Sequence, residues 1–232
     1  MIDVTGQISA VERHIGARTL PAGQARVLTI AQTYDAPVAD VFDACTNPER
    51  IPRWFLPVSG DLSLGGRYQL EGNAGGTVER CDPPHGFAAT WEFGGEVSWI
   101  EVRLREAGPG RTRFELEHVA HVDDQRWAEY GPGAVGIGWD LALVGLASHF
   151  AADGTGVDPA AAADWMASPE GLRFVTESSN SWTRASIEAG TPTEQAQTAG
   201  TRVTAFYTGA PTPPPPPPAP GAARGRRRGP GG

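Results

Sequence analysis

The segment from Gly133 to Ala151 constrains the fold most, because its sequence predicts one long helix that is apolar on most sides. Between Gly133 and His149 the only charged residue is Asp140. A helix of this composition must be covered over most of its circumference. The strand-like segments that precede it predict a curved antiparallel sheet as the covering layer.

Short strand-like segments fill most of the chain before this helix. Residues 11–20 and 25–35 flank a Pro-Ala-Gly turn and predict a β-hairpin, and a short helix is predicted from Pro37 to about Cys45. Further strands follow, separated by glycine, proline and aspartate, and strands in series with short turns form an antiparallel meander. These strands are predicted at 58–64, 66–72, 76–82, 86–93, 96–106 and 111–121.

The chain after the long helix predicts two more helices and a tail. Ser168 and Thr191 each precede a proline and can cap the start of a helix. We therefore predict a helical pair, over about 169–189 and 192–207, that packs on the main domain. Residues 210–232 are rich in proline, arginine and glycine and cannot build a core. We predict that they form a disordered tail, whose proline run could bind a protein partner.

Length and composition predict one main soluble domain with extensions, since domains usually contain about 100–200 residues. We divide the chain into an N-terminal extension with a hairpin strand (1–24), a main domain (25–152), a helical extension (153–209) and the tail (210–232). No apolar run approaches the roughly 20 residues of a membrane helix, and the N-terminus lacks the pattern of a secretory signal. We therefore expect no membrane span and a cytoplasmic location.

Charge and cysteine content exclude several classes of function. The formal net charge is −8 although the tail carries a cluster of arginines, so the body of the protein should repel nucleic acid. Cys45 and Cys81 are the only cysteines, and neither has a neighbouring second ligand. They predict neither a disulfide framework nor a zinc site. We expect both to be small buried residues.

The turn from Asn47 to Pro57 places two large aromatic side chains, Trp54 and Phe55, among prolines. Each proline fixes its own backbone angle and biases the preceding residue away from helix, so the pair lies where a short helix must end. Both rings could simply fill core space. The alternative that we favour is that they form the wall of a cavity.

Several short motifs carry a resemblance to a known family. They are Thr33-Tyr34-Asp35-Ala36-Pro37, Val41-Phe42, Asn47-Pro48-Glu49, Trp54-Phe55, Gly65-Gly66-Arg67-Tyr68, Trp91-Glu92-Phe93 and the segment from Gly133 to Leu146. With the order of the predicted elements, they resemble the START-like, or SRPBCC, superfamily. Within it, residues 11–151 are similar to the activator of heat-shock-protein-90 ATPase homologue family.

The resemblance implies an α+β helix-grip fold, in which a curved antiparallel sheet surrounds a long C-terminal helix; here a helical pair is appended. It also implies a deep pocket between sheet and helix, which relatives use for apolar small molecules. Some branches of the superfamily use it for cyclase or dehydratase chemistry, and the family name implies activation of a chaperone. No cofactor is implied.

Strand alternation and the helix pattern together predict which residues line this pocket, because side chains one apart on a strand point to opposite faces. On the strand at 111–121, for example, Phe114, Leu116 and His118 share one face, with Glu115 and Glu117 on the other. The predicted lining comprises Trp54, Phe55, Tyr68, Phe87, Trp91, Phe93, Ile100, Phe114, Leu116, His118, Trp139, Leu143 and Leu146.

His118 is the polar residue that the alternation aims inward, and it is the only candidate for catalysis, a weak one. It can be a hydrogen-bonded core histidine, an anchor for a ligand or a proton-transfer group. His121 diverges from it on a regular strand, so we predict no metal site.

Three functions are compatible with the sequence. The first is binding of a hydrophobic or aromatic small molecule without turnover, with His118, Tyr68 or tryptophan side chains orienting the ligand. The second is polyketide cyclase, aromatase or dehydratase chemistry that uses His118. The third is a cochaperone that stimulates a chaperone ATPase through a protein-facing surface.

Overall fold

The computed structural model describes residues 3–151 and 159–211. Within these residues, eight strands form one antiparallel sheet. Along the chain they are β1 (Glu12–Leu20), β2 (Gly23–Tyr34), β3 (Val58–Gly60), β4 (Arg67–Leu70), β5 (Gly75–Asp82), β6 (Gly86–Phe93), β7 (Glu96–Glu106) and β8 (Thr112–Ala120). Their order across the sheet is β1-β2-β8-β7-β6-β5-β4-β3, so the first hairpin closes onto the last strand of the meander.

The helices lie before, within and after the sheet in sequence. They are α1 (Val4–Ala10), α2 (Val38–Thr46), α3 (Asp124–Tyr130), α4 (Gly133–Ala151), α5 (Pro159–Ala167), α6 (Pro169–Glu188) and α7 (Thr193–Thr208), and a short 3-10 helix covers Ile51–Arg53. The curved sheet and the long helix α4 confirm the α+β helix-grip fold.

The main core lies between the inner face of the sheet and α4. Ile137, Leu143 and Leu146 of α4 pack with the inward side chains of β2, β6, β7 and β8. The outer face of the sheet carries ion pairs instead, such as those of Arg103 with Glu115 and Glu117. The alternation of apolar and charged side chains along β7 and β8 therefore separates core from solvent.

A fully buried carboxylate, that of Asp140, joins the C-terminal helices to the rest of the fold. Asp140 accepts hydrogen bonds from Arg13 of β1, at 3.1 and 2.7 Å. It also accepts from the Ser178 hydroxyl at 2.5 Å and from the Trp182 indole at 2.9 Å, both on α6. Asp140 is thus the charge within the apolar helix that holds three elements together.

Close backbone packing also fixes α6 on α4. A Cβ on Gly136 would lie 2.3 Å from the Trp182 ring, so only glycine permits this contact. Trp182 is itself fully buried. A Cβ on Gly133 would likewise lie 2.8 Å from the Val203 side chain of α7, so both helices of the predicted pair pack on α4.

Short helices that the sequence analysis missed are α1, α3 and α5. Two of them begin at an aspartate cap: Asp3 accepts from the Gly6 amide and Asp123 from the Arg126 amide. Helix α1 is also held by tertiary packing, because its Val4 lies in a cluster with Val144 and Phe174. Local propensity alone does not predict helices of this length.

Other sequence predictions need smaller corrections. The predicted strand at 58–64 is only the three-residue β3. The predicted hairpin is present as β1 and β2, which pair along the whole length of β1. Thr191 does not cap α7, which starts after Pro192 without a side-chain cap; the Thr191 hydroxyl instead accepts from Ser186 at 2.9 Å. The predicted tail lies outside the described residues.

Helix α4 shows that the prediction of no apolar run near membrane-spanning length was wrong. By length and composition alone, this helix could cross a membrane. Half of it is buried inside the protein, against the sheet and α6, and helices at the core of soluble proteins pass the same test. We therefore assign it as the core helix of this domain.

Candidate functional site

A cavity of about 190 Å³ lies between the inner face of the sheet, α2, the turn after the 3-10 helix and α4. We refer to it as the main cavity. Most of the predicted pocket residues line it, and they come from every side of the enclosure. They are Trp54, Phe55, Tyr68, Phe87, Trp91, Ile100, Phe114, Leu116, Trp139 and Leu143.

Three predicted lining residues lie elsewhere. Phe93 is the last residue of β6, next to the Gly94-Gly95 turn, and is 59% exposed because the strand has run past the core. Leu146 is fully buried in the packed core and does not line the cavity. His118 is buried behind Trp139 and borders a different cavity, described below.

Several lining residues were not in the prediction. Ala89 of β6 and Val102 of β7 are small side chains on the inner face of the sheet. Phe42, Cys45 and Thr46 come from α2, and Ile51 and Leu62 come from segments outside the strands. The remainder lie on β3, β4, β5 and α4. The additional lining residues are Phe42, Cys45, Thr46, Ile51, Val58, Leu62, Leu70, Val78, Cys81, Ala89, Val102 and Ala142.

A β-bulge explains why Cys81 lines the cavity. Val78 pairs with Ala89, but Arg80 pairs with Ala88, so Glu79 is an extra residue in β5. The bulge reverses the alternation and puts Cys81 opposite Phe87, on the inward face. We expected Cys81 to be buried, which is wrong: it is exposed at the edge of the cavity. Cys45 is buried, and burial raises the pKa of its thiol to about 12.

The aromatic side chains of the cavity form a continuous row. Trp54 stacks on Phe55 with ring centroids 5.4 Å apart, and Phe55 stacks on Trp139 at 6.3 Å. The ring of Trp139 in turn packs at a tilt against that of Trp91, with centroids 5.0 Å apart. The Trp54-Phe55 turn that stood out in the sequence is therefore one end of a wall that reaches the centre of the protein.

The position of that turn depends on Gly145 of α4. A Cβ at residue 145 would lie 2.1 Å from the carbonyl oxygen of Trp54, so the two backbones approach as closely as only glycine allows. The Trp54 indole N–H also donates to the Ala44 carbonyl at 2.8 Å. Two independent contacts thus hold Trp54 at the wall.

The polar side chains of the cavity are largely occupied by the protein itself. The Tyr68 hydroxyl donates to the Thr90 carbonyl at 2.7 Å, and the Thr46 hydroxyl donates to the Phe42 carbonyl at 2.8 Å. Burial raises the pKa of Tyr68, which keeps the phenol neutral. The exception is Trp91, whose indole N–H has no acceptor among residues 3–151 and 159–211.

His118 is fixed by a chain of hydrogen bonds. The Trp139 indole N–H donates to its Nδ1 at 3.0 Å. Its Nε2 lies 2.8 Å from the Ser98 hydroxyl, which donates onward to the Trp91 carbonyl at 3.0 Å. Because Nδ1 and Ser98 are both used in this way, the proton of the neutral ring sits on Nε2. Burial lowers the pKa of His118 to about 4, so the ring is uncharged near neutral pH.

The described part of the chain contains no group of three or more histidine, cysteine or acidic side chains that could hold a metal ion. His118 is buried, whereas His121 is exposed. The Nδ1 of His121 lies 3.1 Å from the Gln24 carbonyl oxygen. The chemistry that the site offers is therefore apolar contact, one indole donor and two thiols.

Comparison with known families decides the classification. The family described as "Activator of Hsp90 ATPase homolog 1-like protein" matches residues 35–151, which include α2, the aromatic turn, the meander and α4. The chain belongs to this family. The resemblance seen in the sequence motifs is thereby confirmed.

Solved structures extend the relationship beyond the segment that defines the Activator of Hsp90 ATPase homolog 1-like family. The crystal structure of CalU16 from Micromonospora echinospora is 40% identical, with a TM-score of 0.61, and the match covers 76% of this chain and 98% of CalU16. Its solution NMR structure is 38% identical with a TM-score of 0.63, over 78% and 97% of the two chains.

A more distant structure shares the fold alone. EF2215 from Enterococcus faecalis is 12% identical with a TM-score of 0.53, over 79% of this chain and 95% of that chain. The search of curated proteins gave no match.

Proposed function

We propose that this protein binds a small aromatic molecule in the main cavity, without chemical turnover. The observation that carries the proposal is the character of the lining, which is almost entirely apolar and aromatic. Apolar contact is worth about 25 cal/mol for each Å² removed from water, so such a lining favours binding by burial.

The size of the cavity limits the ligand. Its volume is about 190 Å³, while an apolar cavity of about 150 Å³ holds one benzene ring. One or two fused rings therefore match the space between the sheet and α4. We propose that the Trp91 indole N–H donates to a carbonyl or ether oxygen of the ligand, while the remaining lining favours hydrocarbon surface.

The geometry of His118 supports binding rather than catalysis. A general acid or base must reach the proton that it transfers. Trp139 and Ser98 occupy the two ring nitrogens of His118, and Trp139 stands between this ring and the main cavity. The cyclase alternative would require this arrangement to break on substrate binding.

Titration with tetralin and 1-tetralone tests the proposal. The two molecules have the same two-ring skeleton and differ by one carbonyl oxygen. We expect both to raise the melting temperature, because a ligand that binds only the folded state stabilises it. We expect 1-tetralone to bind about fivefold more tightly, since one neutral hydrogen bond contributes about 1 kcal/mol. The variant Trp91→Phe should remove this preference while retaining binding of tetralin.

A cavity-filling variant locates the site. Ala142 of α4 lines the main cavity. Ala142→Leu should fill part of the cavity and lower the affinity for both ligands at least tenfold. The matched control is Ala134→Leu, on the first turn of the same helix but outside the main cavity. This variant should bind both ligands with the affinity of the wild type. Calorimetric unfolding of each variant verifies that it is folded. No binding to the wild type, or equal binding to Ala142→Leu, would refute the proposal.

A further inference from the structure

A second cavity, of about 310 Å³, lies on the far side of His118 from the main cavity. It is enclosed by β2, β8, α3 and the first turn of α4, and we refer to it as the α3 cavity. Its apolar walls include Leu28, Ala120, Val122 and Pro132. Trp127 and Tyr130 of α3 add two aromatic rings.

The α3 cavity differs from the main cavity in its charged residues. Arg26 of β2 and Arg126 of α3 both line it, together with Glu96 at the start of β7. Arg126 forms an ion pair with Glu96. Among the residues that the structure describes, Arg26 forms its ion pair with Asp124, at 2.7 Å, and the Asp124 side chain is 99% exposed.

Arg26 is held in place but not fully hydrogen-bonded. Its guanidinium carbon lies 4.4 Å from the centroid of the Trp127 ring, a cation–π arrangement that orients the planar group. Its Nε–H is buried and has no acceptor in the described ranges 3–151 and 159–211. A buried N–H without a partner is costly, so the guanidinium of Arg26 is not fully satisfied by the protein groups around it.

The rim of the α3 cavity exposes apolar surface. Val135 is 43% exposed and Tyr130 is 36% exposed, and both lie at its edge. Exposed apolar residues that adjoin a cavity indicate a contact surface better than single exposed residues do. The apolar rim, the aromatic rings and one incompletely bonded arginine occur together in one enclosure.

From these observations we propose that the α3 cavity is a binding site for a small aromatic carboxylate. The ring would contact Trp127 and the apolar walls, and the carboxylate would take the place of Asp124 on the Arg26 guanidinium. Planar carboxylates match the fork of a guanidinium, and such charge-assisted bonds are stronger than neutral ones. The site is separate from the main cavity, so this proposal does not depend on the function proposed above.

The experiment compares 2-naphthoate with 2-naphthamide, which has the same shape without the charge. Binding to the full chain is measured by calorimetry, and the site by the chemical shifts of the backbone amides of Tyr130 and Gly131. We expect 2-naphthoate to bind at least tenfold more tightly than the amide and to shift these resonances. Arg26→Gln should weaken 2-naphthoate by ten- to hundredfold and leave the amide nearly unchanged.

Two further variants make the result decisive. Asp124→Asn removes the competing carboxylate and should tighten 2-naphthoate binding, the opposite direction to Arg26→Gln. Ala134→Leu narrows the α3 cavity and should weaken the binding of 2-naphthoate, whereas Ala142→Leu, which fills the main cavity, should leave the charge-dependent binding of 2-naphthoate unchanged. The proposal is overturned if acid and amide bind equally, if Arg26→Gln has no effect, or if only Ala142→Leu reduces binding.

Discussion

The indole N–H of Trp139 donates to Nδ1 of His118 across 3.0 Å, and this bond joins the long helix to the last strand of the sheet at the boundary between two cavities. One face of this boundary is the Trp139 ring, which lines the main cavity. The other is His118, which lines the α3 cavity. This hydrogen-bonded pair therefore has one member at each cavity.

Protonation of His118 should destabilise the fold in acid. Its pKa is lowered by burial to about 4 from an ordinary value near 6.5, so the unfolded state binds the proton first. Stability is fully present above pH 6.5 and falls as the pH drops toward 4, by up to about 3 kcal/mol from this group at 1.36 kcal/mol per pH unit. Urea unfolding at a series of pH values measures the loss.

His118→Phe isolates this contribution from that of the carboxylates. The variant should be less stable than the wild type at pH 7, since it leaves the Trp139 N–H without its acceptor, but the difference should shrink between pH 6.5 and 4. His14→Gln, at an exposed position on β1, serves as the control. A constant difference between wild type and His118→Phe across this range would contradict the assignment.

Gly145→Ala should displace the Trp54-Phe55 turn. The new Cβ would lie 2.1 Å from the Trp54 carbonyl oxygen, and overpacking of this kind costs about 1–3 kcal/mol. We expect a lower melting temperature and altered indole resonances of Trp54 and Trp139. Gly138→Ala on the same helix is the matched control, because its Cβ would meet only the Tyr207 hydroxyl at 3.5 Å. That variant should be neutral, or stabilised by up to about 1 kcal/mol through helix propensity.

Asp140→Asn should destabilise the protein strongly. Asp140 is fully buried and bonded to Arg13, and loss of one partner of a buried ion pair costs about 3–5 kcal/mol. Denaturant unfolding measures the change, and proteolysis near α6 would show whether the helical pair detaches first. Asp35→Asn removes an exposed partner of Arg111 and should change stability by less than about 1 kcal/mol. Equal effects of the two variants would contradict the role given to Asp140.

The two thiols should differ widely in reactivity toward a disulfide reagent. Cys81 is exposed at the cavity edge, whereas Cys45 is buried with a pKa of about 12. At pH 8 a thiol with that pKa is about 10⁻⁴ ionised, and the thiolate is the reactive form. We expect one fast reaction in the wild type and none in Cys81→Ser. Two fast reactions in the folded wild type would show that Cys45 is accessible.

Periodicity named several residues that line the main cavity. Phe114, Leu116 and Ile100 line the main cavity because strand alternation is a local property that two neighbouring residues already define. Trp139 and Leu143 were named for a different reason, because they lie on an apolar helix that had to be covered. The Trp54-Phe55 turn was identified because proline chemistry ends a helix within a few residues.

Long-range geometry decided the remainder. The bulge at Glu79 turns Cys81 inward. The bulge is visible only in the pairing register of β5 with β6, and the sequence of β5 does not show it. His118 faces the interior as alternation required, yet Trp139 covers it, and which side chain covers another depends on how α4 crosses the sheet. Arg26 and Arg126 both line the α3 cavity although they lie 100 positions apart in the sequence. The sequence by itself determined the fold class, the core helix and most of the wall, because these follow from local periodicity. Only the tertiary structure decided where the interior divides, because that depends on contacts between distant elements.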